Sequence, residues 1–159
     1  MPEVIQGDVA TITVQAPSST DTPDAAVFTS VVGYIDSYTL NFDKTPTTRP
    51  VLNQSTQVPI STSSTHTVDI AMPMDTDAAA NQDELLELFL PGSFSGSLAS
   101  NGKIQVNIYT NKKTAGNREG FSTKVIGSSF TAGATGGDVT TLNVTLQGDG
   151  NLVFFTNGA

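Results

Sequence analysis

Few residues in this chain are of a type and spacing that could do chemistry. His66 is the single histidine, and no residue near it in sequence marks a Ser–His–Asp arrangement. At the start of an alternating run, it reads as an edge or surface side chain. Asp75, Asp77, Asp83, Glu84 and Glu87 lack the spacing of a calcium loop. They fall where helix caps and the wet face of a helix place acids. There is no cysteine, hence no disulfide framework and no thiolate metal site. The remaining polar constellation is Gln147, Asp149 and Asn151, each two residues from the next, followed by Val153 and Phe155. Asp149-Gly150 lies between two alternating runs, which predicts a tight terminal hairpin over Thr140 to Thr156. Catalytic, cofactor and metal residues are not expected, and neither is an enzyme.

The run Gln147-x-Asp149-x-Asn151-x-Val153-x-Phe155 resembles the mannose-site pattern of monocot-type bulb lectins, with Phe155 where a tyrosine is usual. In those lectins the Gln, Asp and Asn side chains converge on sugar hydroxyls from one strand. Here the pattern occurs once, not in triplicate, and phenylalanine lacks the hydroxyl. Hairpin chemistry centred on Gln147, Asp149, Gly150 and Asn151 accounts for most of the match. A single-site mannose-binding module is therefore an alternative reading only.

The elements that must position these residues are mostly strands. Tyr38, Leu40 and Phe42 alternate with Ser37, Thr39 and Asn41, the pattern of a sheet with one packed and one wet face. Val68, Ile70 and Met72 repeat it, then Ile104, Val106 and Ile108, then Leu142, Val144 and Leu146. Phe121, Thr123 and Val125 lead to Gly127, where a bulge is expected. Asp77 to Leu90 is the one stretch with helical composition. Leu85, Leu86 and Phe89 form its apolar stripe, Asp83, Glu84 and Glu87 its exposed side, and Pro91-Gly92 its stop. Asp43 to Ser64, with Pro46, Pro50 and Pro59, reads as a long inter-strand loop, within which Gln57 to Ile60 is a candidate short edge strand. Residues 1–26 read as an extended N-terminal arm. The fold class is mainly β: a two-sheet antiparallel β-sandwich with one flanking α-helix at about 77–90, a single domain over 1–159.

Charge narrows the partners. The net charge is −8 and uneven: residues 1–100 carry 12 of the 15 acids, and residues 101–159 are slightly basic. An acidic chain does not grip nucleic acid, which requires neutralised phosphates, although it can border it. Opposed ends also suit head-to-tail self-association. No apolar run reaches the roughly 20 residues of a membrane span, and the start Met1-Pro2-Glu3 shows no signal-peptide pattern. Membrane insertion is not expected.

Taken in order, these features resemble the major tail (tail tube) proteins of long-tailed bacteriophages. The likeness is carried by YIDSYTLNF, the long loop after it, TVDIAMPMD leading to an acid-rich helix ending LLELFLPG, then IQVNIYTN and TTLNVTLQGDG. It covers roughly residues 27–156. The resemblance implies subunits in hexameric rings that stack into a tube for genome delivery, without tight binding of the passing DNA. It implies partners in further copies and in tail terminator, tape measure and baseplate proteins. It places the protein in a virion tail, made and assembled in the host bacterial cytoplasm. Carried onto this chain, the inter-subunit contact loop includes Asp43, Lys44, Arg49, Val51, Leu52 and Gln57, and the lumen-facing candidates are Asp36 and Asp69. Another virion sandwich, such as a terminator, decoration or baseplate component, is the second reading.

Overall fold

The computed structural model describes residues 11–19, 22–23, 32–33, 35–50, 57–74, 81–110 and 116–158, with the side chains of 47–50, 57–63 and 157–158 left out. The alternating runs become strands: β1 Thr11–Gln15, β2 Ser37–Pro50, β3 Gln57–Pro73, β4 Ile104–Tyr109, β5 Arg118–Gly133, β6 Thr141–Gly148 and β7 Val153–Gly158. One short helix, α1, spans Gln82–Leu86.

All seven strands join one antiparallel sheet, ordered β1-β4-β5-β6-β3-β2 with β7 also on β5, and the sheet curls into a half-barrel. This corrects the two-sheet sandwich. β5 is long enough to serve both halves. Its residues 120–125 pair with β4, and its residues 125–133 pair with β6. The expected bulge falls between Gly127 and Ser129, and a bulge bends and twists its strand. A Cβ on Gly127 would lie 2.9 Å from the Phe89 ring, so glycine lets that ring close onto the bend.

The core lies on the concave side. Val68, Ile70, Met72, Leu142, Val144 and Leu146 from β3 and β6 meet Ile104, Val106, Ile108, Ile12 and Val14 from β4 and β1, with Leu85 and Leu86 of α1 filling the opening. Burial of this many aliphatic side chains, at about 1.5–3 kcal/mol each, supplies the main drive to fold.

Three further expectations change. The helix expected at 77–90 ends at Leu86 and continues as turns through residue 92, while 77–80 lie outside the described residues. The terminal hairpin is absent: β6 and β7 both run antiparallel to β5 along the same edge. Val125 pairs with Gly148 and Ser122 with Val153, so five steps on one side oppose three on the other. Asp149-Gly150, with φ 130 at Gly150, is thus an outward kink inside one collinear strand, not a reversal. Within the expected N-terminal arm of 1–26, Thr11–Gln15 is instead a sheet strand paired with β4, and residues 12–15 are buried, while residues 1–10 lie outside the described ones.

Candidate functional site and assembly surfaces

The strand alternation sorts β2, β3, β6 and the second half of β5 into two unlike faces. One is the core. The other carries Ser37, Thr39 and Asn41 on β2, Thr67, Asp69 and Ala71 on β3, Thr141, Asn143, Thr145 and Gln147 on β6, and Ser129 and Thr131 on β5, aligned by register. Every one of these is exposed or half-exposed. The result is a four-stranded wall of mostly polar side chains, with Ala71 and the exposed Ile126 opposite Gln147 as its apolar members and no cation among them. Asp69 sits at its centre: Asn41 Nδ2 donates to one carboxylate oxygen at 3.1 Å, and Thr145 Oγ1 to the other at 2.7 Å. Its charge is therefore held in a fixed place on the wall. Asp36 is also exposed but precedes β2, and its parity is that of Tyr38 and Leu40, not of Thr39 and Asn41. The structure does not set the two acids side by side.

Two edges of this wall carry no partner strand among the described residues. One is the outer edge of β2; the other is the edge of β5 past Val125, where β4 ends.

Beyond the wall, β2 and β3 continue as a two-stranded arm. The segment expected as a loop, Asp43 to Ser64, is mostly this ribbon: Asp43 pairs with Thr65 and Pro50 with Gln57, with a register shift at Thr45/Pro46. Pro46, Pro50 and Pro59 sit within these strands. Prolines are excluded from central strands but tolerated where a strand edge is free or bulged, and among the described residues neither outer edge of the ribbon has a partner strand. The eight β2 residues 43–50, opposite nine of β3, reach about 26 Å. Asp43 and Lys44 are exposed on the arm, Arg49 lies in its β2 strand and Gln57 begins its β3 strand; Val51 and Leu52 lie outside the described residues.

Two of the lectin-like side chains already have partners within the chain. Gln147 Nε2 donates to the His66 carbonyl at 3.2 Å. Asp149 forms a 2.7 Å ion pair with Lys103, and its backbone N–H donates to the Lys124 carbonyl. Gly150 and Asn151 are exposed at the kink.

Several polar residues do work that spacing alone did not reveal. Glu84, expected on the wet helix face, is 8 % exposed. Its carboxylate accepts the backbone N–H groups of Ser97 at 3.0 Å and Leu98 at 3.0 Å. Glu87 likewise accepts from the N–H groups of Gly92 and Phe94. The two acids fold the following loop back onto α1, which explains why the helix stops. Gly96 permits the approach: a Cβ there would lie 2.9 Å from Glu87 Cβ. On the outer face of β1, β4 and β5, Gln105, Asn107 and Ser122 are fully buried. Asn107 Nδ2 donates to Gln15 Oε1 at 2.9 Å, Ser122 Oγ to Asn107 Oδ1 at 2.6 Å, and Gln105 Nε2 to the Thr22 carbonyl at 3.1 Å. Beside them Tyr109 packs edge-on to Phe155, and burial pushes its phenol up to about 12, against a Thr13 hydrogen bond and the Arg118 charge. Alternation in IQVNIY gives no signal that its polar side is buried too.

His66, expected at an edge, is 5 % exposed, and burial holds its imidazole below the ordinary value. Among the described residues no group of three or more His, Asp or Glu is placed to hold a metal.

Comparison with known proteins gives likeness of fold without likeness of sequence. No protein-family model matches the chain, and none of the curated proteins matches it. Solved structures do. The tail of an empty gene transfer agent particle, refined with C6 symmetry, superposes with a TM-score of 0.64 at 10% identity, covering 95% of this chain and 98% of that one. The SPP1 tail tube superposes with a TM-score of 0.67 at 11% identity, covering 98% and 80%. The tube–sheath complex of an extracellular contractile injection system gives 0.59 at 11%, covering 96% and 92%. The fold is the one that subunits of such tubes adopt.

Proposed function

We propose that the chain is the structural subunit of a virion tail tube, with copies joined in hexameric rings that stack into a conduit for a passing genome. The observation that carries this reading is the four-stranded wall, largely polar on one face and, among the described residues, without a partner strand at either edge. An open edge is a template for another strand. β2 and β5 run in opposite directions, so the β2 edge of one copy can meet the β5 edge of the next, residues 126–133, in an antiparallel ladder. With the sixfold symmetry of the gene transfer agent tail, four strands per copy make 24, and closure leaves no edge exposed. At about 4.8 Å between strands and a tilt of about 40°, such a barrel has a backbone diameter of roughly 45–50 Å.

The wall suits a lumen. Hydroxyl and amide side chains hydrate well, Asp69 repels phosphate, and the described wall offers no lysine or arginine to hold DNA. The arm suits a contact between copies. A two-stranded ribbon is marginal by itself, so packing against a neighbour stabilises it. Asp43, Lys44, Arg49, Val51, Leu52 and Gln57 belong to that contact, and Asp36 remains a weaker lumen candidate than Asp69. Ring-on-ring contact is heterologous and does not close, which yields an open tube. Terminator, tape measure and baseplate proteins are the further partners, and assembly takes place in the host cytoplasm. Nothing in this reading calls for catalysis.

Sedimentation velocity across a concentration series tests it. Growth from monomer through a six-copy species to larger polymers is expected. A monomer at every concentration and salt level overturns the reading.

A further inference from the structure

The arm leaves the body of the sheet at one place, and a single side chain fills that place. The β3–β6 ladder ends at the pair Thr67 and Gln147, whereas the β2–β3 ladder runs on into the arm. His66 is the first β3 residue past the end. It touches three other strands at once. Its Nε2 lies 2.6 Å from Thr123 Oγ1 of β5. Its ring stacks on Phe42 of β2, with centroids 6.2 Å apart and planes 23° from parallel. It lies flat against Gly148 at the end of β6, where an added Cβ would overlap the imidazole. Past this point nothing described ties the arm to the body except its own two strands.

We propose that His66 is the pin that fixes the direction in which the arm leaves the sheet, and through it the positioning residue for contact between copies; the second half rests on the tube-subunit reading. A free two-stranded ribbon twists strongly and has no partner to hold its angle. Stacking on Phe42 sets the tilt of the imidazole relative to the arm. The bond to Thr123 sets its rotation relative to β5. Gly148 supplies the flat seat that lets the ring reach both. A side chain that only filled space would satisfy the packing without fixing the rotation, so two kinds of variant separate the roles.

The chain has no cysteine, so spin labels can be placed cleanly at Thr45→Cys on the arm and Thr156→Cys on β7, both exposed. Electron–electron distance measurements are made on dilute, unassembled protein, with circular dichroism confirming the fold. The parent protein should give one narrow distance distribution. His66→Phe keeps a flat aromatic ring, somewhat larger, and loses the bond, and should at least double the width. Gly148→Ala should displace the mean. His66→Gln retains a polar group toward Thr123 and should recover most of the parent's width. Folded His66→Phe and Gly148→Ala proteins with the parent's distribution would overturn the pin. Because the distances are read without assembly, a fixed arm in a protein that never forms tubes keeps the pin and rejects the tube reading. A swinging arm in a variant that still assembles at the parent's yield rejects the positioning role alone.

Discussion

Replacing Glu84 by alanine removes the acceptor for two backbone N–H groups, those of Ser97 and Leu98. Glu84 is 8 % exposed and Leu98 is half-buried against the core, whereas Ser97 is exposed, so water replaces the lost carboxylate at Ser97 but not fully at Leu98. A hydrogen bond to a charged group contributes about 1.5–3 kcal/mol, and a donor left unsatisfied costs a similar amount. One half-buried donor and one that water can reach then give a loss of roughly 2–4 kcal/mol. For a chain of this size that lowers the melting temperature by roughly 10 °C. Glu84→Gln keeps one acceptor oxygen and should lose about half as much. Urea unfolding supplies the free energies, and amide hydrogen exchange at Ser97 and Leu98 locates the effect. Both amides should exchange faster in Glu84→Ala well before the β4 amides do. A loss below about 1 kcal/mol with unchanged exchange at Ser97 and Leu98 would refute the reasoning.

Stability should also depend on pH through His66. Its imidazole titrates below the ordinary 6.5 because burial disfavours the charge, so the unfolded chain binds the extra proton first. The contribution is whole above about pH 6.5 and is lost as pH falls below it; urea midpoints that decline equally in the parent and in His66→Phe over pH 5–7 would contradict this. In assembled tubes, Asp69→Lys should turn an indifferent wall into one that retains duplex oligonucleotides at low salt and releases them at high salt. Exclusion equal to the parent's would show that Asp69 does not face the lumen. Deleting residues 47–56 should leave a monomer with the parent's melting temperature to within a few degrees and no tubes, and normal tubes by electron microscopy would remove the arm from assembly.

Much of the sheet was legible because its core face repeats strictly. Tyr38 and Leu40, Val68 to Met72, Ile104 to Ile108 and Leu142 to Leu146 all point where alternation puts them. What escaped notice has physical reasons. Pro46, Pro50 and Pro59 argue against a strand unless its edge is known to be free, and edge status is a property of topology, not of the local residues. Asp149-Gly150 has the residues of a tight turn, yet both flanking runs share one edge of β5, so the same permissive backbone serves a kink. Periodicity also assumes that a polar side chain faces water. Gln105, Asn107 and Glu84 are buried with partners that lie as far away in sequence as Thr22, Gln15 and Ser97. His66 belongs with them, since its contacts come from three separate strands. Of the candidate site, the wall could be read as a face with Asp69 on it, but period two gives no account of which edges stay open.

The joining of those open edges is the central claim, and a cryo-electron microscopy reconstruction of the assembled protein at side-chain detail tests it most directly. The expected map shows β2 of each copy hydrogen-bonded antiparallel to residues 126–133 of its neighbour, in a closed barrel with Asp69 and Thr145 facing the channel. A polymer in which these two edges remain apart, or in which the polar wall faces outward, would contradict it.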